Sequence, residues 1–331
     1  MNPAEPDSRL RELEQWLRED LSLPMTKMAP ASSDASFRCY FRVWCGATSY
    51  IVMDAPPGKE DIRPFIQIGT LLEEIGLHVP GVLEQDLQRG FLLLTDLGSR
   101  QYLDELNEAS APRLYGDALR SLVKMQSCPR EMLRQVATYE RKLLLEEMAL
   151  FREWYLERHL GISLSADQAE MLVSSFSYLV EAALEQPRVL VHRDYHSRNL
   201  MIAEPNPGIL DFQDAVVGPV SYDLVSLLRD CYVAWPRQEV EQWVEWYYNM
   251  ASQVGLLQQA DMGQLLRWFD LMGVQRHLKA VGIFSRLDIR DGKPGYLKDI
   301  PRTLGHIEAV LPHYPELRGL QSVLSELPAS R

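Results

Sequence analysis

One polar segment near the middle of the chain, residues 192–199, and the apolar run 209–212 that follows it constrain the chemistry of this protein most strongly. Together they supply Asp194, Asn199 and Asp211, in that order. An aspartate can orient a hydroxyl group and take its proton, while asparagine and a second aspartate are hard oxygen ligands suited to magnesium on a nucleotide. The order and spacing therefore predict phosphoryl transfer, with Asp194 as the catalytic residue and Asn199 and Asp211 as metal ligands.

Two short apolar runs, 200–203 and 209–212, flank a segment rich in proline, asparagine and glycine. This pattern predicts a β-hairpin. If the chain reverses between the two runs, Asn199 and Asp211 lie opposite each other at the open end, and the preceding loop brings Asp194 to the same region. Two protein oxygens facing one small volume suit magnesium, which keeps its other positions for water and phosphate.

Three further polar residues of the central segment have less defined roles. His192 is expected to be structural and to bond backbone near Asp211. His196 and Arg198 face either a substrate phosphate or solvent, and both interpretations stay open.

Composition limits the class of protein and its partners. The chain has 331 residues, of which 46% are hydrophobic, and this is enough for a core in two lobes. A net charge of −12 argues against a nucleic acid or an anionic membrane as partner, although a local basic pocket can still bind an anionic substrate. The four cysteines are scattered, the N-terminus lacks a secretion signal, and no apolar run reaches membrane-spanning length. A reduced, cytoplasmic location is therefore expected.

The central motif resembles the catalytic loop and metal-binding aspartate of the protein-kinase-like fold, in the small-molecule branch that includes aminoglycoside phosphotransferases and choline kinases. The resemblance implies an α+β fold with two lobes, a small antiparallel sheet in the first and mainly helices in the second. We place these lobes at residues 1–97 and 98–331. ATP and Mg²⁺ are the implied cofactors. In the family segment similar to 218–224, the aspartate, here Asp223, opens a helix and braces the catalytic loop, and His192 would support the same loop.

The secondary structure predicted along the chain fits this scheme. An amphipathic helix at 8–21 is expected to pack on its own domain rather than on a partner. The predicted strands lie at 39–45, 49–55, 82–83 and 91–94. Further helices are predicted at 63–75, 111–126, 139–160, 165–186, 222–232, 237–254 and 261–281, the fourth of them opening with a capping box at residues 165–168.

The nucleotide-binding residues are predicted from the polar loop at 31–38, where the kinase-like fold places a flap over the phosphates. Serines replace the usual glycines there, so the candidates are Ser32, Ser33, Ser36 and Arg38. The segment from Thr95 to Gly98 interrupts the strand pattern and is similar to the hinge between the lobes, whose candidates for the adenine edge are Thr95, Asp96 and Leu97.

The lysine that the fold normally places on its second predicted strand, near Met53, is absent. A cation must come from elsewhere, and the candidates are Arg38, Arg42 and Lys59. This absence is also the only support for an alternative of another class, a nucleotide-binding pseudokinase regulator.

Two segments are candidates for the acceptor site. Glu153 and Trp154 combine an aromatic plane with a polar group, as sugar sites do, although Trp154 could equally be a core residue. Basic and polar side chains alternate with apolar ones in the second segment, and they either bind substrate or form a solvated helix face. They are Gln275, Arg276, His277 and Lys279.

These two segments, together with 33–38, 53–57 and 94–98, are similar to segments of the bacterial anomeric kinases that phosphorylate N-acetylmuramate and N-acetylglucosamine at C1. The resemblance runs through nearly the whole chain. This implies an amino-sugar substrate, a role in recycling cell-wall sugars towards UDP-N-acetylmuramate, and a lysine-free second strand as a feature of the subgroup. The lactyl carboxylate of muramate offers a use for Arg276 or Lys279. An aminoglycoside or choline-type phosphotransferase is the alternative within enzymes.

Overall fold

The computed structural model describes residues 5–33 and 37–327, and for residues 5–7, 32 and 33 it describes the backbone only. The chain divides into two compact units. The first runs to Arg100 and also contains residues 201–214, while the second contains residues 101–200 and everything from Ala215 onward. The sequence instead predicts one boundary after Leu97, with no return of the chain to the first lobe.

The bounds of the elements follow chain order. The strands are β1 Lys27–Ser33, β2 Cys39–Cys45, β3 Thr48–Asp54, β4 Val82–Asp86, β5 Phe91–Thr95, β6 Arg188–Val191, β7 Leu200–Met201, β8 Gly208–Ile209 and β9 Val216–Pro219. The α-helices are α1 Glu5–Gln15, α2 Arg63–Glu74, α3 Tyr102–Glu105, α4 Ala111–Gln126, α5 Arg141–Leu150, α6 Ala166–Leu184, α7 Tyr222–Leu228, α8 Arg237–Gln253, α9 Met262–Asp291, α10 Ile300–Val310 and α11 Arg318–Ser325. Wider π-helical turns extend α1 over Trp16–Asp20 and α5 over Phe151–His159.

The first unit is built on an antiparallel sheet of five strands in the order β1-β2-β3-β5-β4. This confirms the small antiparallel sheet expected of the first lobe. Strand β1 was not expected, because its sequence lacks alternation of apolar and polar residues. It is an edge strand that contains Pro30 and changes register between Pro30 and Ser32, as edge strands tolerate.

Helix α1 and its π-helical extension pack on this sheet. Leu13, Trp16 and Leu17 are buried against a sheet face that includes Val43 and Val52. The amphipathic helix therefore covers its own domain, as predicted. Burying its apolar face against a sheet stabilises it more than helix propensity alone could.

The segment 201–214 belongs to the first unit because its apolar side chains pack there. The rings of Phe212 and Phe65 lie 4.7 Å apart, and Ile209 donates its N–H to the carbonyl of His78 at 2.8 Å. Strands β7 and β8 form a two-stranded sheet, which confirms the predicted pairing but is shorter than the runs 200–203 and 209–212. The last residues of the second run leave the strand to pack on α2.

The second unit is mainly helical. Strands β6 and β9 form an antiparallel pair, and the predicted capping box at the start of α6 is present, with Ser165 and Gln168 bonded reciprocally. Helix α9 continues ten residues past the predicted end at Val281, through Gly282. A Cβ atom at Gly282 would lie 2.4 Å from the carbonyl carbon of Leu150, so this glycine permits close helix packing and does not end the helix.

None of the helices of residues 5–33 and 37–327 combines enough length and enough apolar character to cross a membrane.

Candidate active site

The loop that carries Asp194 is held by Asp223 in the first turn of α7. One carboxylate oxygen of Asp223 accepts the N–H of His192 at 2.6 Å, and the other accepts the N–H of Arg193 at 3.0 Å. Asp223 is fully buried, and burial raises its pKa to about 7 even though these two hydrogen bonds favour the carboxylate. The Nδ1 of His192 accepts the N–H of Asp194 at 3.3 Å, so this ring supports the loop, and its predicted bond to backbone near Asp211 stays a prediction.

Asp194 is a carboxylate surrounded by positive charge. Burial opposes its ionisation, but Lys279, His196 and Arg276 outweigh this effect and lower its pKa to about 2. The group is therefore ionised throughout the range in which a protein of this kind works. A carboxylate with so low a pKa orients a hydroxyl group well and is a weak proton acceptor.

Arg193, directly before Asp194, lies in the left-handed region with φ of 77°, which is uncommon for residues other than glycine and marks a strained turn. Its guanidinium bonds Glu147 of α5 at 2.5 Å, and both side chains are largely buried. Lys279 of α9 bonds the same carboxylate at 3.0 Å and donates to the hydroxyl of Tyr222. Glu147 thus neutralises two cations beside Asp194.

Glu147 was missed by the sequence prediction. Burial would raise its pKa, but Lys279 and Arg193 hold it below the ordinary value, so it is charged inside the second unit. One signal was present in the sequence, because Glu147 falls on the same helical stripe as Leu144, Met148 and Phe151. An acid on an apolar stripe requires a buried partner.

Asn199 ends the loop. Its side-chain N–H donates to the carbonyl of Asp194 at 3.0 Å, which fixes the orientation of the carboxamide. The loop between them is fixed by Asp230, whose carboxylate accepts both the N–H and the hydroxyl of Ser197, at 2.9 and 2.5 Å. Asp194 and Asn199 are therefore held as one rigid piece of the second unit.

Asp211 lies in the first unit, two residues after β8, and also has a left-handed backbone, with φ of 64°. Its Oδ1 accepts a hydrogen bond from Gln213 at 2.7 Å and lies 3.8 Å from the guanidinium of Arg38. Two residues with a left-handed backbone, Arg193 and Asp211, thus lie within the two segments of the sequence motif. Such outliers concentrate at functional sites.

The three residues predicted to replace the missing lysine have different partners in the structure. Arg42 forms a two-pronged ion pair with Asp96 at 2.7 and 3.1 Å and also bonds the carbonyl of Gly98. Lys59 lies over the ring of Phe37, 5.1 Å from its centre. Arg38 is the candidate that pairs with Asp211. Ser36 lies outside the described residues, as do the side chains of Ser32 and Ser33.

The predicted hinge is stiffened from within the first unit. Thr95 donates its N–H to the carbonyl of Gly81, and the Asp96 carboxylate accepts from Ser49 and from the N–H of Gly98 as well as from Arg42. The carbonyl of Asp96 and the N–H of Leu97 belong to one trans peptide group and point in opposite directions, so they cannot both face one adenine edge. The adenine-binding role of Thr95, Asp96 and Leu97 stays a prediction.

The four acceptor candidates on α9 do not form a solvated face. Gln275 and His277 are fully buried, Gln275 beside Tyr139 and Glu147, and His277 with its Nε2 donating to the carbonyl of Arg229. Arg276 and Lys279 are also more than nine-tenths buried. These residues line the interior of the second unit, where Arg276 and Lys279 act on Asp194 through their charge.

The candidates Glu153 and Trp154 lie on the π-helical turns after α5 and are half-buried. Arg158 of the same turns pairs with Glu153 at 2.7 Å and lies over the ring of Trp154 at 4.0 Å. Trp154 is therefore a partly exposed ring with a cation on it and does not belong to the core.

His196 and Arg198 both contact Tyr232, which the sequence did not single out. The ring of His196 meets Tyr232 edge to face at 5.3 Å, and the guanidinium of Arg198 lies 3.6 Å from the centre of the same ring. Arg198 is thus not solvated on all sides, and no acid in the described part of the chain pairs with it. Its position beside the catalytic loop places a fixed positive charge there.

Acidification is expected to destabilise the protein through the pair formed by His277 and His306, whose rings stack 4.9 Å apart. Burial lowers the pKa of His306 to about 4 and that of His277 well below the ordinary value. Because the unfolded chain binds these protons at about pH 6.5 and the folded chain does not, stability falls as pH drops from about 6.5 towards about 4. His306 alone accounts for a loss on the order of 3 kcal/mol.

Urea unfolding between about pH 7 and about pH 5 measures this effect. His306→Gln should flatten the pH dependence, whereas His313→Gln, at an exposed histidine, should leave it as in the parent. An equal slope in the parent and the His306 variant would contradict the prediction.

Known proteins that are similar to this chain identify its family. The family model described as the phosphotransferase enzyme family matches residues 27–265. An N-acetylmuramate/N-acetylglucosamine kinase of Pseudomonas putida is 46% identical over 336 aligned positions, covering 98% of either chain. The kinase of the same name from Pseudomonas aeruginosa is 45% identical over 332 positions, covering 97% of this chain and 98% of that one.

Among solved structures, an ADP-bound aminoglycoside phosphotransferase superposes with a TM-score of 0.61 at 16% identity, covering 89% of this chain and 97% of the other. That likeness concerns the fold and confirms the predicted protein-kinase-like class. Since the family model spans most of the sequence and the two relatives align along nearly its full length, the chain belongs to the phosphotransferase enzyme family.

Proposed function

We propose that this protein is an ATP-dependent sugar kinase that phosphorylates N-acetylmuramate and N-acetylglucosamine at the anomeric C1 hydroxyl. The observation that supports this most is 46% identity, along nearly the whole of both chains, to a relative with that name. The residues agree with it, because Asp194 and Asn199 are held rigidly by buried acids of the second unit.

Asp194 is proposed to orient the C1 hydroxyl. The anomeric hydroxyl is more acidic than other sugar hydroxyls, so it needs less help to lose its proton. A carboxylate whose pKa is about 2 matches this task, since it accepts a hydrogen bond in a fixed direction and stays charged. Arg276 and Lys279 keep it ionised, and this is the role we propose for them instead of contact with the substrate.

The nucleotide is proposed to bind the first unit. Backbone groups of the segment Thr95–Leu97 are proposed to bind the adenine edge, and Arg38, which pairs with Asp211, is proposed to replace the missing lysine at the phosphates. The hydroxyls and amides of Ser32, Ser33 and Ser36 remain candidates for the same phosphates.

Asn199 and Asp211 are proposed to hold Mg²⁺. Both offer oxygen, the ligand type that magnesium prefers, and they flank the paired strands β7 and β8 in the chain. The guanidinium of Arg38 lies 3.8 Å from the carboxylate of Asp211 and favours its charged form, which is the form that binds magnesium. When bound, magnesium neutralises phosphate charge.

The acceptors of the alternative enzymes, aminoglycosides and choline, are cations, and the positive charge of Arg198 disfavours the binding of both. Its guanidinium already covers Tyr232, so a choline ammonium or an aminoglycoside amine would meet a like charge on that ring. The regulator alternative rested on the missing lysine alone, whereas the family and the named relatives are those of enzymes. By the same relationship we propose a place in the recycling of cell-wall sugars in the cytoplasm.

Release of ADP from ATP in the presence of either sugar tests the function. We expect turnover with N-acetylmuramate and with N-acetylglucosamine, and its loss when EDTA removes magnesium. Kanamycin and choline serve as acceptor controls and should give no ADP above the sugar-free background. Turnover with one of these and with neither sugar would refute the proposal.

A further inference from the structure

Arg198 sits on a small aromatic cluster next to the catalytic loop, within the second unit. Its guanidinium lies 3.6 Å from the centre of the Tyr232 ring and 5.7 Å from that of Tyr296. Phe284 completes the cluster, stacking on Tyr296 at 5.7 Å and packing on Tyr232 at 6.3 Å. Tyr232, Tyr296 and Arg198 are each half-buried.

The described partners of Arg198 are the aromatic rings of Tyr232 and Tyr296 and include no acidic side chain. No Asp or Glu within residues 37–327 forms an ion pair or hydrogen bond with Arg198, whereas the buried Arg193 and Arg229 each bond a carboxylate at 2.5 Å. Stacking on a ring face leaves the N–H groups of a guanidinium pointing outward in its own plane. A half-buried arginine held this way is prepared for a planar anion that can accept two parallel hydrogen bonds.

The position of Arg198 suits binding of a substrate group that lies beside the reacting hydroxyl. Arg198 lies on the loop between Asp194 and Asn199. On the same loop, the ring of His196 contacts Tyr232 at 5.3 Å and is close enough to Asp194 to interact with its charge. The Nδ1 of His196 is buried and forms no hydrogen bond within the described residues.

The other cations near the loop are unsuited to this role. Lys279 is committed to Glu147 and Tyr222, and the guanidinium of Arg276 is buried against Cys231. Both are less than a tenth exposed. Arg193, on the same loop, is bonded to Glu147, whereas Arg198 is half-buried and has the rings of Tyr232 and Tyr296 as neighbours.

We propose that Arg198, stacked on Tyr232, binds the lactyl carboxylate of N-acetylmuramate and so sets the preference of the enzyme for this sugar acid over N-acetylglucosamine. The inference rests on the proposed function. The lactyl ether is attached two ring carbons from C1, so its carboxylate must be bound beside Asp194 and not at it. N-acetylglucosamine lacks that group and cannot use Arg198 in this way.

Steady-state kinetics of Arg198→Met with both sugars test the proposal. We expect the ratio of kcat/KM for N-acetylmuramate to that for N-acetylglucosamine to fall about 10- to 100-fold, mainly through KM. Arg198→Lys keeps the charge but loses the planar fork, and it should give a smaller fall. The carboxamide of N-acetylmuramate removes the charge from the ligand instead. It should be a poorer substrate than the acid for the parent and equal to the acid for Arg198→Met.

Arg267→Met is a matched control, because Arg267 also lies over a tyrosine, Tyr178, at 5.9 Å, far along the chain from the loop. Its ratio should equal that of the parent. An unchanged ratio in Arg198→Met, or equal losses for both sugars with a raised KM for ATP, would overturn the inference. If the parent phosphorylates neither sugar, the proposed function fails first. If it phosphorylates both and the ratio is unchanged, only the inference fails.

Discussion

Replacing Asp194 by asparagine is expected to lower kcat by about 10²- to 10⁴-fold while nucleotide affinity changes little. The carboxamide presents an N–H group where the substrate hydroxyl needs an acceptor, and it removes the negative charge that Lys279 and Arg276 stabilise. Because these residues and Asp223 belong to the second unit, the effect should appear in the chemical step. The measurement is kcat and KM for each sugar, together with the Kd of ADP by calorimetry.

Asp167→Asn is the matched control for this variant, since Asp167 is an exposed aspartate in the first turn of α6. It should keep the activity of the parent. If Asp194→Asn retains more than about a tenth of the parental kcat, the role assigned to Asp194 is wrong. If both kcat and the ADP affinity collapse together with the melting temperature, the residue acts on folding and not on the substrate.

Glu147→Gln is expected to cost about 3–5 kcal/mol of the free energy of unfolding. The substitution keeps the shape of the side chain but leaves Arg193 and Lys279, both largely buried, without the carboxylate that neutralises them. The strained backbone of Arg193 loses the ion pair that holds its side chain, and Lys279 is left with Asp194 as its nearby anion. We therefore also expect kcat to fall at saturating sugar.

The adjacent Glu146 offers the control, because it lies on the same helix, is exposed and pairs only loosely with Lys142 at 3.8 Å. Exposed pairs of this kind contribute about 0–1 kcal/mol, so Glu146→Gln should unfold at nearly the urea concentration of the parent. Equal stability of the two variants would show that the buried cluster does not stabilise the second unit. A stable Glu147→Gln protein with lower kcat would still assign Glu147 to positioning of the loop.

The order of the chemical groups was available from the sequence. Asp194, Asn199 and Asp211 are close in the chain, and their spacing limits how far apart a short loop and hairpin can place them. Helix α4, which matches the predicted 111–126, and the capping box of α6 were likewise predictable. Their signals, which are apolar periodicity and caps, act over a few residues.

The tertiary structure decided which charges meet. Arg193 and Glu147 are 46 residues apart in the chain, and nothing local in either segment specifies the other. The same holds for Gln275 and His277, whose polar character suggested a solvated face until the packing of α9 buried them. Packing also moved 201–214 to the first unit, through Phe212 and Phe65.

The sequence by itself therefore determined the reaction class, because the groups proposed to react and to bind the metal lie within one short segment whose spacing is fixed by covalent geometry. Only the tertiary structure decided how Asp194 is kept ionised, which cation lies near Asp211, and where Arg198 rests. These depend on long-range packing, since a buried charge is stable only when the folded chain brings a partner to it, and that partner can come from any part of the sequence.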